Sequence, residues 1–188
     1  MICSNGGNLD SLTGAFVFKT ERLACRRWLP SDIDTIFGVY SDPEGCRWVG
    51  DGTPITYTEC KRWLKVTANN YASRGYGMFA LDDLRSDETL GFCGLVHPSN
   101  QADVEIKYAF LRSHWGRGYA SEVVPHLLAH GVRSHRLKKV IATVDPGNIV
   151  SQRILLKSGF AFEKVMHDET GPFQVYVWHP GGESTHLD

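Results

Sequence analysis

Near residue 76 the apolar residues of this chain stop recurring every third or fourth position and start recurring every second, and beyond residue 111 the two periods alternate. A period of 3.6 builds one face of a helix and a period of 2 builds one face of a strand, so these switches set the order of elements. Ahead of the first switch, residues 23–28 read as a strand that Pro30 closes. Ile33, Ile36, Phe37 and Tyr40 then share one helical face, with Ser31-Asp32-Ile33-Asp34 predicted as its capping box. Ser41-Asp42-Pro43-Glu44-Gly45 is turn chemistry that ends this helix. A second helix is predicted over 56–73, with Cys60, Trp63, Leu64, Thr67 and Tyr71 inward and Gly75 just past its end.

Residues 76–81, 90–97 and 104–111 alternate as three antiparallel strands, and both connections are short enough for hairpins. The second half reads as a helix to about residue 134, a strand over 139–144, a helix over 148–158 stopped by Gly159, and a closing hairpin from 160 to 178. Pro125 falls inside the first of these helices, where it costs about 3 kcal/mol, so a kink or a later helix start is expected. The order β-α-α-β-β-β-α-β-α-β-β describes one α/β domain over residues 16–180. Its mixed sheet is antiparallel in the first half and βαβ-like in the second. Residues 1–15 are expected as a disordered leader and 181–188 as a loose tail.

Composition removes several classes. Twenty Lys and Arg against twenty-one Asp and Glu leave a net charge of -1, which gives no surplus for binding nucleic acid. No apolar run approaches the roughly 20 residues that cross a bilayer. Five cysteines without a C-x-x-C spacing form neither a disulfide framework nor a zinc ribbon, which points to the cytoplasm.

The sharpest local feature is His114-Trp115-Gly116-Arg117-Gly118-Tyr119-Ala120, between a strand and a helix. Two glycines let main chain approach a ligand, and the helix start behind them offers free N–H groups, which together suit a pyrophosphate. The third glycine of a dinucleotide fingerprint and the G-K-[ST] of a P-loop are missing. After the next strand come Asn148-Ile149-Val150-Ser151, and Gly159-Phe160 close the helix that follows.

With Thr20-Glu21-Arg22-Leu23 and Arg26-Arg27-Trp28…Asp32, this succession resembles the GNAT superfamily of N-acetyltransferases over roughly residues 16–180. It is nearest the branch that acetylates the N-termini (alanine or serine) of ribosomal proteins and its small-molecule-modifying relatives, where Trp-Gly opens the loop as Trp115-Gly116 does here. The resemblance implies the acyl-CoA N-acyltransferase fold and acetyl-coenzyme A as cosubstrate, lying where strands 104–111 and 139–144 splay. It implies that the pantetheine arm bonds the main chain of Phe110 and Leu111 like an added strand. The pyrophosphate would rest on N–H groups of Trp115, Gly116, Arg117, Gly118, Tyr119 and Ala120, with the Arg117 side chain either adding charge there or lying solvated. Asn148 matches a residue that hydrogen-bonds the cofactor arm, and it also suits a helix N-cap.

The resemblance makes Glu105 the general base; otherwise it is a strand carboxylate paired with Lys107. A Tyr that often protonates the leaving thiolate is replaced by Leu155, which leaves Ser151 as the nearest substitute, and the oxyanion is expected to meet an N–H near Phe110. The implied reaction is direct transfer of acetyl to a primary amine, on a small molecule or a protein N-terminus, in a ternary complex, by a monomer or homodimer without nucleic acid, membrane or metal. Arg47, Trp48 and Tyr57 are expected acceptor walls. The competing reading is a non-catalytic module that binds acyl-coenzyme A and regulates a partner. His126 and His130, four apart, lack a third metal ligand. Arg133, His135, Arg136, Lys138 and Lys139 read as a solvated helix end or as help for the coenzyme's 3′-phosphate. Trp28, Trp48 and Trp63 read as core or cleft wall.

Overall fold

The computed structural model describes residues 12–50, 52–98 and 101–181, and most of the expected leader and tail lies outside them. Fifteen elements or turns order as β1 (Phe16–Lys19), β2 (Leu23–Arg26), α1 (Ile33–Ser41), α2 (Pro43–Cys46), α3 (Tyr57–Arg74), β3 (Met78–Asp83), β4 (Thr89–Val96) and β5 (Glu105–Phe110) in the first half. The second half holds α4 (Tyr119–His135), β6 (Val140–Val144), α5 (Ile149–Lys157), β7 (Ala161–Asp168) and β8 (Gly171–Trp178), and among the described residues Pro30–Asp32 and Arg112–His114 form 3₁₀ turns.

All eight strands join one sheet in the order β1-β2-β3-β4-β5-β6-β8-β7. Every neighbouring pair is antiparallel except β5 and β6. The mixed sheet is the one expected, with two differences. The segment 16–28 holds two strands, because Thr20 turns the chain back and its N–H and hydroxyl both bond Leu23 O. The turn at 41–45 continues into a one-turn helix, α2, since Asp42 accepts the Glu44 N–H at 3.1 Å and Pro43 fits a first helical position.

Capping follows the sequence at α3 and departs from it at α1. Thr56 and Glu59 close a capping box, with Glu59 Oε2 accepting the Thr56 N–H at 2.7 Å, and Gly75 ends α3 at φ +80°. Ser31 caps nothing; Asp32 reaches back to the Leu29 N–H at 2.7 Å and pairs with Arg26 at 2.6 Å. Pro125 sits inside α4, which starts at Tyr119 and no later. Ser121, whose carbonyl loses its amide partner to the proline, shares the exposed face with Pro125, where water can serve instead.

Strand alternation assigns the layers. Phe92 of β4 packs on Tyr40 of α1 and Trp63 of α3, whereas Leu95, of opposite parity, meets Gly131 of α4. Helices α1 and α3 therefore cover one face and α4 the other. Core residues run through both, from Leu12 and Trp28 to Leu127, Leu155 and Tyr176.

Candidate active site

Strands β5 and β6 touch as a parallel pair at one register position, Glu105 opposite Ile141, with Ile141 N–H donating to Val104 O at 2.8 Å. Beyond that pair they separate, and a cavity of about 1340 Å³ occupies the fork and continues over the α1–α3 face. The antiparallel ladder decides which main-chain groups the fork exposes. Leu111 N–H donates to Leu90 O at 2.9 Å, so alternate residues of β5 face β4 and the intervening ones, Tyr108 and Phe110, face the fork. Leu111 N–H is thus not free to bond a ligand arm, which corrects the expectation drawn from the sequence. Phe110 O is also engaged, accepting the Trp115 indole N–H at 2.8 Å. The open edge is the N–H and C=O of Tyr108 and the N–H of Phe110.

At the wide end of the fork the chain makes its 3₁₀ turn and enters the loop. Gly116 stands at φ +72° and Gly118 at φ +78°, a region where side chains are strained, and a Cβ on Gly116 would meet nothing within 4 Å. The glycine there answers to conformation and to open space above it, not to packing. Among the described residues, the amides of Gly116 through Ser121 have no acceptor, and no side chain caps α4. Six unpaired amides at a helix start are a cradle for an anion. Trp115, Gly116, Arg117, Gly118, Tyr119 and Ala120 all line the cavity, but the exposed Arg117 guanidinium turns back to Ser113 O at 3.0 Å.

Asn148 caps α5, its Oδ1 accepting the Ser151 N–H at 3.0 Å, while its Nδ2 has no acceptor among the described residues and borders the cavity. Both readings of this residue are therefore compatible. Ser151 Oγ lies 2.8 Å from the Tyr108 hydroxyl, and burial pushes that hydroxyl up to about 12. Sequence reasoning missed Tyr108, whose partner is 43 residues away. Leu155 is wholly buried and fills core.

Glu105 is 2 % exposed at the closed end of the fork, and it makes the pair with Lys107 that its alternative reading expected. Its Oε1 is bonded by Lys107 Nζ and Thr143 Oγ1 and its Oε2 by Gln101 Nε2 at 3.2 Å. Glu105 and Lys107 share the parity of Ala109, which stands opposite Phe92, so they face α1 and α3, whereas Tyr108 and Phe110 face α4 and α5. One strand thus divides its side chains between two sides of the cavity. Arg47 and Trp48 line the α1–α3 side, with the guanidinium 4.6 Å from the indole centroid. Tyr57 does not line it; its ring packs on Phe37 and its hydroxyl bonds Asp34 at 3.2 Å. Trp63 lines it and Trp28 lies in the core.

The remaining signals fall elsewhere. His126 Nδ1 contacts Glu122 O at 2.9 Å, His130 packs among Phe18, Phe79 and His135, and no group of three potential metal ligands occurs among the described residues. The basic cluster spans the last turn of α4 and the residues just beyond it, about 25 Å of helix from the loop. No described helix is long and apolar enough to cross a membrane.

A forked β5–β6 pair, an amide cradle at a helix start and a capping Asn on the far side form one cleft suited to an extended anionic ligand. The chain belongs to the GNAT acetyltransferase family: the sequence profile of the acetyltransferase (GNAT) domain matches residues 22–161. It is 32% identical over 160 residues to the uncharacterized Bacillus subtilis protein YkkB, covering 84% of this chain and 92% of that one. It is also 32% identical over 151 residues to the uncharacterized N-acetyltransferase p20 of Bacillus licheniformis, covering 79% and 84%. A GNAT-family acetyltransferase structure from Bordetella pertussis shares the fold at TM-score 0.74, with 24% identity over 86% of this chain and 98% of that one. RimL, the ribosomal L7/L12 alpha-N-protein acetyltransferase solved with coenzyme A, shares it at TM-score 0.73, with 15% identity over 89% and 99%. The protein is an N-acetyltransferase.

Proposed function

We propose that this enzyme moves acetyl from acetyl-coenzyme A directly to a primary amine while both are bound, and that Glu105 is the base. The observation that carries the reading is the fork. It opens immediately beyond Glu105, and the unpaired amides of residues 116–121 stand at its wide end. The bound thioester supplies the acetyl group and a thiolate leaving group. The main-chain groups of Tyr108 and the N–H of Phe110 orient the pantetheine arm and meet the oxyanion, and Asn148 Nδ2 adds a donor from α5.

Glu105, held by Thr143, Lys107 and Gln101, takes the amine proton directly or through one water. The Lys107 ammonium beside it favours the neutral, nucleophilic amine over its ammonium form. The hydrogen-bonded hydroxyls of Tyr108 and Ser151 stand where Leu155 supplies none. A phenol at about 12 gives its proton poorly to a thiolate near 8.5, so the pair stabilises sulfur charge as a donor while water completes protonation. The four cysteines among the described residues are buried and none lines the cavity, which supports direct attack over an acyl-enzyme.

The acceptor is a small-molecule amine or a protein N-terminus, and Trp115-Gly116 is shared by the branch that acts on either. Thiol release from acetyl-coenzyme A over a panel of peptides and small amines tests this. The expected result is release with one amine class and intersecting initial-rate lines, with Glu105→Gln lowering kcat by about 10²–10⁴-fold. Parallel lines, or a Glu105→Gln enzyme with full turnover at every pH, would overturn it.

A further inference from the structure

The Thr20-Glu21-Arg22 turn between β1 and β2 precedes the diphosphate loop by almost a hundred residues, and no step above uses it. In the folded chain it closes on that loop. Arg22 Nε meets Glu122 Oε2 at 2.6 Å, the Arg22 amide donates to Glu122 Oε1 at 2.8 Å, and Thr20 Oγ1 bonds the same oxygen. Arg22 Nη1 donates to Arg117 O at 2.8 Å, and the guanidinium lies 4.6 Å from the Tyr119 ring centroid. Nη2 has no acceptor among the described residues and stands 3.6 Å from where a Cβ on Gly118 would be.

The charges give this arrangement a purpose. Glu122 occupies the first turn of α4, next to the amides that would receive a diphosphate. An uncompensated carboxylate there repels the anion that the helix start attracts. Burial works against its ionisation, yet the bonds from Thr20 and Arg22 hold it below the usual carboxylate range. Glu122 is therefore ionised and needs its cation.

We propose that Arg22, rather than Arg117, is the cation of the coenzyme's diphosphate site. It cancels Glu122, fixes the Arg117 carbonyl so that the neighbouring amides stay outward, and keeps Nη2 for a phosphoryl oxygen. The proposal rests on the acetyl-coenzyme A reading above, and the two fail differently.

The test compares acetyl-coenzyme A with S-acetylpantetheine, which carries the same thioester and no diphosphate. Arg22→Ala is expected to raise KM for acetyl-coenzyme A about 10- to 100-fold, the range of a lost charge-assisted hydrogen bond. It leaves kcat/KM for S-acetylpantetheine within about twofold, and its effect on acetyl-coenzyme A exceeds that of Arg117→Ala. Adding Glu122→Gln to Arg22→Ala recovers part of the loss, because the stranded carboxylate is gone. Arg22→Gln retains the stem and replaces the alanine variant if that one does not fold. Equal losses with both donors would make Arg22 a structural brace and overturn the proposal, as would a loss carried by Arg117→Ala. No calorimetric binding of coenzyme A by the unmodified protein would remove the acetyl-coenzyme A reading itself, before any variant is made.

Discussion

Gly91 of β4 couples the packing of the sheet to the shape of the fork. A Cβ at this position would stand 2.3 Å from Ala109 O and 2.6 Å from Phe110 Cα. Ordinary carbon contacts begin near 3.5 Å, so the Gly91→Ala substitution requires a displacement of about 1 Å. β4 cannot easily provide it, since its other side is paired with β3 through a register shift at Leu81 and Asp82. β5 can move, because beyond Glu105 its far edge is the open fork. The displaced residue is Phe110, whose N–H borders the cavity and whose carbonyl anchors Trp115. Overpacking of this kind costs about 1–3 kcal/mol. In a domain of this size that lowers Tm by roughly 2–12 °C. A shift of about 1 Å at a reacting centre can lower kcat/KM by on the order of 10²-fold. Thermal denaturation and acetyl-coenzyme A kinetics measure the two effects together. Gly116→Ala is the control for stability alone: it meets no protein atom within 4 Å, so only its φ of +72° opposes folding, at about 1–2 kcal/mol, while its methyl group enters the space proposed for the diphosphate. A Gly91→Ala protein with native Tm and native kcat/KM would refute the reasoning, since β5 would have to absorb the methyl group without moving.

Two further outcomes are expected. Asn148→Ala loses about 1 kcal/mol from the α5 cap along with the free amide donor, whereas Asn148→Ser keeps the cap and loses only the donor. Urea denaturation should separate the two variants while acetyl-coenzyme A KM rises in both; a native KM for Asn148→Ser would remove the cofactor role. His130 titrates at about 4 because burial, then the charges of His135 and Arg133, disfavour its imidazolium. The unfolded chain binds this proton near 6.5, so His130 contributes stability above that pH and loses it as pH falls toward about 4. Chemical denaturation from pH 7 to pH 4 should show a decline that His130→Phe reduces, and an unchanged slope would clear His130 of the effect.

Much of the fold was legible from local periodicity. The stripes on α1 and α3, the helix behind Gly118, and the β6–α5–β7 succession depend on neighbours one turn or two residues apart. The second strand in residues 16–28 was less legible, because four-residue strands carry too few alternations to separate from one continuous segment. Helix α2 was hidden by Asp-Pro-Glu-Gly, a string that fits a turn and a single helical turn equally well.

At the site, local chemistry marked the loop and the Asn148 cap, since glycine dihedrals and capping are properties of short segments, whereas Glu105 was marked by the family resemblance. Contacts between distant segments decided the rest. Leu111 is excluded by its bond to Leu90, Tyr108 acquires Ser151 from α5, and Arg22 meets Glu122 a hundred residues on. The linear order therefore determined which elements form and where an anion cradle stands. Tertiary packing alone decided where β5 and β6 part and which buried groups are partnered. The reason is that a dihedral or a cap is set within one turn of chain, whereas sheet register and the pairing of buried charges are set by every layer that closes over them.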